Sequence, residues 1–201
     1  MISTIFGLPG AGKSSFLAYC ADLALHGKPV EIGHYPFWRV PLTAERHYAK
    51  VYCNFPIKGC YMLNWDDIGK YDFSNSLILL DEITLLADSR KWKNFDDAKT
   101  YFFSMHRHYH CSVIIASQAY DDMDKRIRDR SGAFFYILDQ GSTSRIFPIK
   151  PTFRVETMSK SYSLSARLCT TKLKRKKYYD MFDSFSAVAM PENPSKLWEV
   201  V

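Results

Sequence analysis

The sequence has no apolar run close to the roughly 20 residues that a membrane-spanning helix needs. Its longest apolar stretches, such as Leu77–Leu80, have the length of a β-strand. Residues 1–6 lead directly into a glycine-rich loop, so we expect them to form a first strand rather than a leader peptide. Since 47% of the residues are hydrophobic and 24% are charged, the chain is expected to fold into a soluble globule with one core.

Cysteine is scarce, and its spacing follows no pairing pattern. The five cysteines are Cys20, Cys53, Cys60, Cys111 and Cys169. Their number is odd and no Cys-x-x-Cys pair occurs, which argues against a disulfide framework. We expect these residues to be small, buried, apolar side chains of a protein in a reducing compartment, the cytoplasm.

Acidic residues are nearly missing from one basic stretch of the chain. The net charge is +6, and eight lysines and arginines but only one glutamate lie between Arg154 and Lys177. Residues 171–179 also mix lysines with tyrosines. This composition suits phosphate contacts and base stacking with single-stranded nucleic acid. An anionic membrane surface and a simply solvated charged segment remain equally open interpretations.

The rest of the sequence alternates strand and helix patterns. Predicted strands cover residues 2–6, 50–53, 77–80, 113–116 and 133–138, and predicted helices cover residues 14–26, 96–109 and 122–130. Residues 28–49 contain three prolines and are predicted to be mostly loop. Such alternation is typical of an α/β fold with a mostly parallel sheet and helices on both faces. We expect a nucleotide-binding domain in residues 1–150 and a basic C-terminal extension in residues 151–201.

The most informative motif lies between the first strand and the first helix. Residues 7–14, GLPGAGKS, match the phosphate-binding pattern G-x-x-x-x-G-K-[ST], in which glycines let backbone N–H groups curl around phosphate oxygens. Lys13 would reach the β- and γ-phosphates, and Ser14 would offer its hydroxyl to Mg²⁺. The predicted nucleotide-binding residues are Gly7, Pro9, Gly10, Ala11, Gly12, Lys13, Ser14 and Ser15.

Two further predicted strands end in polar residues. Asp81 and Glu82 follow the run LILL, and Gln118 follows the run VIIAS. In a parallel sheet the carboxyl ends of the strands lie at one edge, where ligands bind. We therefore predict that Asp81 holds Mg²⁺ and that Glu82 polarises the attacking water. Gln118 would lie near the γ-phosphate.

Candidate arginines and histidines carry weaker signals. Arg128 is the best candidate for an arginine finger that complements the transition state from a neighbouring subunit, whereas Arg107, Arg126 and Arg130 are better explained as surface charges. On a helix, His106 and His110 would share one face at a spacing that metal ligands use. A helix end packed against the sheet explains these histidines more simply.

Together these motifs resemble the cytoplasmic domain of the zonular occludens toxin family, which includes the filamentous phage assembly ATPases. The resemblance covers residues 1–150 and is carried by GLPGAGKS at 7–14, VYCNFPIKG at 51–59, LILLDEI at 77–83 and MHRHYHCSVIIASQAYDDMDKRIR at 105–128. It implies an additional-strand P-loop fold near the FtsK–HerA motor group, with the strand before Gln118 between the other two motif strands.

The resemblance also implies a mechanism and partners. Lys13 and Ser14 would bind ATP and Mg²⁺, Asp81 would serve Mg²⁺, and Glu82 would be the catalytic acid. Gln118 would sense the γ-phosphate. The implied assembly is a hexameric ring in the host bacterial cytoplasm at the inner membrane, extruding single-stranded phage DNA with phage assembly proteins.

Two other functions fit a phosphate-binding loop. One is a kinase that acts on a small substrate, and the other is a nucleotide-dependent binding switch. Glu82 next to Asp81 favours hydrolysis over transfer, because water activation needs an acid beside the Mg²⁺ ligand. No Asn-Lys-x-Asp motif for guanine is present, which favours ATP over GTP.

Overall fold

The fold was analysed in a computed structural model that describes residues 1–34, 38–82, 96–118, 120, 123–149 and 171–182. The strands are β1 (Ile2–Phe6), β2 (Glu31–His34), β3 (Trp38–Pro41), β4 (Lys50–Cys53), β5 (Tyr61–Met62), β6 (Ser76–Leu80), β7 (Ser112–Ser117), β8 (Ala133–Gln140), β9 (Thr143–Ile149) and β10 (Thr171–Lys174). The α-helices are α1 (Lys13–Leu25), α2 (Asp97–Met105) and α3 (Lys125–Arg128), and short 3-10 helices cover Trp65–Asp67 and Arg175–Met181.

Eight strands form one sheet in the order β10-β9-β8-β1-β7-β6-β4-β5. All neighbours from β8 to β5 are parallel, and β9 and β10 are added antiparallel at one edge. Strand β7, which precedes Gln118, lies between β1 and β6, as the resemblance implied. This order confirms the α/β fold class with an additional strand between the two motif strands.

The centre of the sheet is covered on both faces because its strands are apolar on both faces. Every residue of β1, β6 and β7 is buried. On one face α1 packs Phe16 and Leu17 into the cluster that contains Leu79. On the other face α2 packs Phe102 and Phe103 into the cluster that contains Leu80. The three motif strands are thus rigid supports for the loops at their carboxyl ends.

Helix boundaries follow local chemistry. Helix α1 ends before Gly27, which has φ of +63° and whose N–H donates to the carbonyl of Ala24. Helix α2 begins at Asp97, after the N-cap residue Asp96, whose side chain accepts a hydrogen bond from the N–H of Lys99 at 2.8 Å. Helix α2 ends at Met105, four residues before the predicted end, and α3 is only four residues long.

Most of the described residues in 28–49 are loop, as predicted, but the prediction missed a pair of strands within them. Within them β2 and β3 form an antiparallel pair in which Ile32 lies opposite Val40. Ile32 is fully buried in the core beneath α1. The prolines do not prevent this pairing because Pro29 precedes β2 and Pro41 ends β3, where a missing N–H costs little.

The boundary expected at residue 150 does not separate the C-terminal segment from the sheet. Strand β10 pairs with β9, with Leu173 opposite Ser144, and the 3-10 helix Arg175–Met181 packs on α1. Residues 171–182 are therefore part of the same folded unit. The remainder of the predicted extension lies outside the described residues.

Cysteine burial agrees with the expectation of apolar side chains. Cys20, Cys53, Cys60 and Cys111 are buried free thiols, and Cys169 lies outside the described residues. Burial raises the pKa of the Cys111 thiol to about 11, so this group stays protonated and unreactive at neutral pH. Within the described ranges, the helices are all too short or too polar to cross a bilayer.

Candidate nucleotide-binding site

The glycine-rich loop joins the carboxyl end of β1 to the start of α1. Gly10 and Gly12 have φ of +76° and +96°, a backbone region that residues other than glycine rarely adopt. A Cβ on Gly12 would also lie 2.5 Å from the Ser144 hydroxyl oxygen and 2.6 Å from Cδ of Arg175. Both the backbone and its surroundings therefore require glycine at position 12.

Lys13 is buried at the first position of α1, with a relative exposure of 5%. Its ammonium group donates to the carbonyls of Gly7 at 2.9 Å and Leu8 at 3.3 Å. It lies 3.8 Å from the Glu82 carboxylate. The ammonium group and the amino end of the α1 dipole are both positive, and the first turn of α1 contains no acidic residue to offset them. Both features favour the binding of a polyanion at the loop.

Ser14 and Asp81 form the second part of the site. The Ser14 hydroxyl donates to Oδ2 of Asp81 at 2.5 Å. Burial raises the pKa of Asp81 above its usual range, although the bond from Ser14 opposes this shift. A neutralising cation beside these two oxygens would favour the ionised carboxylate.

Asn54 holds Asp81 in place through two backbone hydrogen bonds. Nδ2 of Asn54 donates to the carbonyl of Asp81 at 2.8 Å, and the amide of Asp81 donates to Oδ1 of Asn54 at 2.7 Å. Asn54 directly follows β4, beside β6. No role was predicted for Asn54, although it follows a predicted strand and lies within the motif VYCNFPIKG at 51–59.

Glu82 and Gln118 complete the edge of the site. Glu82 has φ of +48°, and its amide donates to Oδ1 of Asp81 at 2.9 Å. Nε2 of Gln118 donates to Oε2 of Glu82 at 3.0 Å. The end of β6 therefore places both predicted acids against Lys13 and Ser14, and Gln118 at the end of β7 contacts this group through Glu82.

A cavity of about 680 Å³ opens beside the loop, a size typical of small-molecule sites. It is lined by Pro9, Gly10, Gly12, Lys13, Ser14, Ser15, Glu82, Arg175, Tyr179 and Phe182. Ala11 is buried in the loop, and its carbonyl accepts from the Ser144 hydroxyl at 2.6 Å. Gly7 approaches β8 so closely that a Cβ would lie 2.8 Å from the carbonyl of Ile137.

Three cavity residues come from the C-terminal segment and were not predicted. Nη1 of Arg175 donates to the carbonyl of Gly10 at 2.6 Å, and Nη2 donates to Asp139 at 2.8 Å. Tyr179 and Phe182 form an aromatic part of the wall. The sequence signal was only a mixture of cations and aromatic residues, which does not reveal that the segment returns to the loop.

The structure places Arg128 apart from this cavity. Its guanidinium carbon lies 4.9 Å from the ring centroid of Tyr120, and Nη1 donates to the Tyr120 carbonyl at 3.5 Å. Arg126 is paired with Asp124, and Arg130 donates to Ser104 at 3.0 Å. A role for Arg128 in hydrolysis would require the site of a neighbouring molecule.

The histidines do not form a metal site. His106 follows the end of α2 and is buried, with Nδ1 donating to the carbonyl of Phe103 at 2.9 Å. His110 has φ of +51° and lies at the surface beside Glu45. The shared helix face that a metal site would need does not exist, because α2 ends before both histidines. Across the described part of the chain, no group of three or more histidine, cysteine, aspartate or glutamate residues could hold a metal ion.

Comparisons with known proteins agree with this arrangement. The family model described as "Zonular occludens toxin (Zot)" matches residues 54–186, which is more than half of the chain. The N-terminal domain of zonular occludens toxin from Neisseria meningitidis is similar in structure, with a TM-score of 0.57 and 16% identity over 90% of this chain and 98% of that one. At that identity the likeness shows a shared fold.

More distant structures are also similar. The genome packaging NTPase B204 from Sulfolobus turreted icosahedral virus 2 matches with a TM-score of 0.46 and 10% identity, over 74% of this chain and 91% of that one. EccC from Thermomonospora curvata matches with a TM-score of 0.43 and 17% identity, over 70% of this chain and 31% of that one. No curated protein sequence matches the chain.

Proposed function

Because this chain belongs to the zonular occludens toxin family, we propose that it binds ATP with Mg²⁺ and hydrolyses it. The observation that carries this proposal is the meeting of three segments distant in sequence. Lys13 in the loop lies within ion-pair distance of Glu82 at the end of β6, and Glu82 in turn accepts a hydrogen bond from Gln118 at the end of β7. An ordinary glycine-rich turn is not expected to lie against two acidic side chains such as Asp81 and Glu82.

Phosphate binding is assigned to the loop and to α1. The backbone N–H groups around Gly10 and Gly12, the helix dipole and the Lys13 ammonium group all present positive charge. The two carbonyls that accept from Lys13 hold its ammonium group at the loop. The site is therefore ready for a triphosphate before the ligand arrives, which reduces the cost of binding.

The oxygen atoms of Ser14 and Asp81 fit a Mg²⁺ ion. Mg²⁺ prefers oxygen ligands and is usually held by one or two carboxylates together with nucleotide phosphates. One carboxylate and one hydroxyl lie side by side here, joined by a hydrogen bond that a bound ion would replace. When bound, the ion would neutralise negative charge on the phosphates.

Glu82 is proposed to accept a proton from the attacking water. Its carboxylate lines the cavity beside the loop and is held between Lys13 and the Gln118 amide. The contact with Gln118 also connects the acid to β7. We propose that Gln118 senses the γ-phosphate through this contact and positions Glu82 accordingly.

We further propose that turnover drives a motor of the type found in this family. The assembly would be a ring of identical subunits in the bacterial cytoplasm, at the inner membrane. Its partners would be phage assembly proteins and single-stranded DNA. Exposed cations on the C-terminal segment, among them Lys172, Lys174 and Lys176, suit a polyanionic strand.

Two substitutions test the site. Lys13→Ala should abolish ATP binding, because it removes the buried cation from the loop. Glu82→Gln should retain binding and lose turnover, since the amide is nearly the same size but cannot accept the proton. Binding is measured by calorimetry, and turnover by phosphate release without an added acceptor.

Lys28→Ala is the matched control, because Lys28 is exposed outside the cavity, and it should behave like the natural protein. Normal turnover by Glu82→Gln would contradict the assignment of the base. Formation of ADP that requires a small-molecule acceptor, without release of free phosphate, would indicate a kinase instead.

A further inference from the structure

We propose that Tyr179, supported by Phe182, is the nucleobase-binding surface of the cavity. This inference rests on the proposed binding of ATP and adds what holds the part of the nucleotide that the loop does not reach. The lining of the cavity includes the Lys13 cation and the aromatic rings of Tyr179 and Phe182. A ligand with a polyanionic tail and a flat aromatic head, such as a nucleotide, matches both kinds of lining.

Tyr179 and Phe182, which we call the aromatic wall of the cavity, belong to a segment that is anchored to the rest of the fold. Tyr178, next to Tyr179, is buried, and its ring lies 5.7 Å from the ring of Tyr19 on α1 in an edge-to-face contact. The amide of Lys58 donates to the carbonyl of Met181 at 2.8 Å. The ring of Phe182 lies 6.1 Å from that of Phe55. Tyr179 is thus presented by a fixed backbone.

Exposure separates Tyr179 from its neighbours. Tyr178 and Phe182 are 5% and 8% exposed, whereas Tyr179 is 49% exposed while lining the cavity. A half-exposed aromatic ring in a concave site offers a face on which a base can stack. Phe182 also lines the cavity and adds apolar surface to it.

Arg175 sets the distance between the wall and the phosphate loop. It starts the 3-10 helix that contains Tyr179 and donates to the carbonyl of Gly10 at 2.6 Å. Its other guanidinium nitrogen donates a hydrogen bond to Asp139 on β8 at 2.8 Å. The aromatic wall and the loop are therefore joined by a charge-assisted hydrogen bond, and the span between base and phosphates is set by the fold.

The test compares ATP with inorganic tripolyphosphate, which carries the phosphates but no base. Affinities of the full chain for each are measured by calorimetry in the presence of Mg²⁺. The natural protein should bind ATP more tightly than tripolyphosphate. Tyr179→Ala should weaken ATP binding roughly tenfold, as loss of one stacked base does, and leave tripolyphosphate binding unchanged. Tyr179→Phe should keep the ATP affinity because the ring is retained.

Tyr71→Ala is the control for loss of an exposed tyrosine, since Tyr71 is 57% exposed and lies outside the cavity lining. Unchanged ATP affinity in Tyr179→Ala, or equal losses for both ligands, would overturn the assignment. Equal binding of ATP and tripolyphosphate by the natural protein would also overturn it, without any variant. If the natural protein bound neither ligand, the proposed function itself would fail.

Discussion

His106 and His110 are four residues apart and lie in opposite environments. His106 is 4% exposed, and Nε2 has no hydrogen-bond partner within the described ranges. Burial lowers the pKa of His106 to about 4, and the nearby N-terminal ammonium group and Arg107 add to this effect. The His110 side chain is 64% exposed beside Glu45. Protonation of His106 is therefore coupled to folding.

His106 should make the protein less stable as the pH falls. Below pH 6.5 the unfolded chain takes up a proton on this histidine, whereas the folded chain does not until about pH 4. Stability is thus fully present above pH 6.5 and is lost progressively towards pH 4, by up to about 3 kcal/mol. Urea unfolding across this range should show a shallower pH dependence for His106→Gln.

Leu25→Gln is the control and should keep the pH dependence of the natural protein, because Leu25 is exposed and carries no ionisable group. An unchanged pH dependence in His106→Gln would show that His106 is protonated in the folded state as readily as in the unfolded one.

Among the structural elements, β10 fixes the C-terminal segment to the sheet and to the core. Leu173 is 4% exposed and belongs to the core cluster under α1, whereas Lys172 beside it is exposed. This alternation is that of a strand with one buried face. Because β10 is hydrogen-bonded to β9, residues 175–182, which follow it, lie beside the phosphate loop. A basic segment that resembles a tail in composition therefore lines the site.

Leu173→Ala should lower the free energy of unfolding by about 2–4 kcal/mol, because it leaves a cavity in the core. Lys172→Ala should change it by less than about 0.5 kcal/mol, since the side chain is at the surface. Both values come from urea unfolding of the full chain. Equal, small effects would show that β10 does not contribute to the cooperative core.

At the scale of the whole molecule, the proposed hydrolysis would use an arginine finger, and the described residues of one chain do not bring one to the cavity. No arginine other than Arg175 lines the cavity in that part of the chain, and Arg175 already donates to Gly10 and Asp139. Arg128 lies elsewhere, against Tyr120. A ring in which Arg128 approaches the next subunit's loop would supply the missing positive charge.

Complementation between variants tests this assembly. Arg128→Ala should bind ATP but lose turnover by about a thousandfold or more, the usual contribution of an arginine finger. Lys13→Ala should also be inactive. A mixture of the two should regain turnover, because some sites would then combine an intact loop with an intact Arg128. Phosphate release and particle mass are measured together.

Arg46→Ala, at an exposed position, is the control and should be fully active. Full activity of Arg128→Ala alone would exclude the role proposed for this arginine. An inactive mixture of well-folded particles would exclude its action across subunits.

Local patterns in the sequence were sufficient for the centre of the site. The phosphate-binding motif, its flanking strand and helix, and the acids after β6 depend on backbone dihedrals and apolar periodicity within about ten residues. Such features can be recognised wherever they occur. The position of β7 between β1 and β6 came from the resemblance of the motifs to a known family and was confirmed.

Only the tertiary structure decided what surrounds that centre. Asn54 supports Asp81 across 27 residues of chain, and Arg175 reaches Gly10 across 165. The β2–β3 pair was missed because its proline-containing residues have no clear period. A local pattern sets which conformation a segment prefers, but it does not encode which distant segment closes against it. That choice depends on the packing of the whole core.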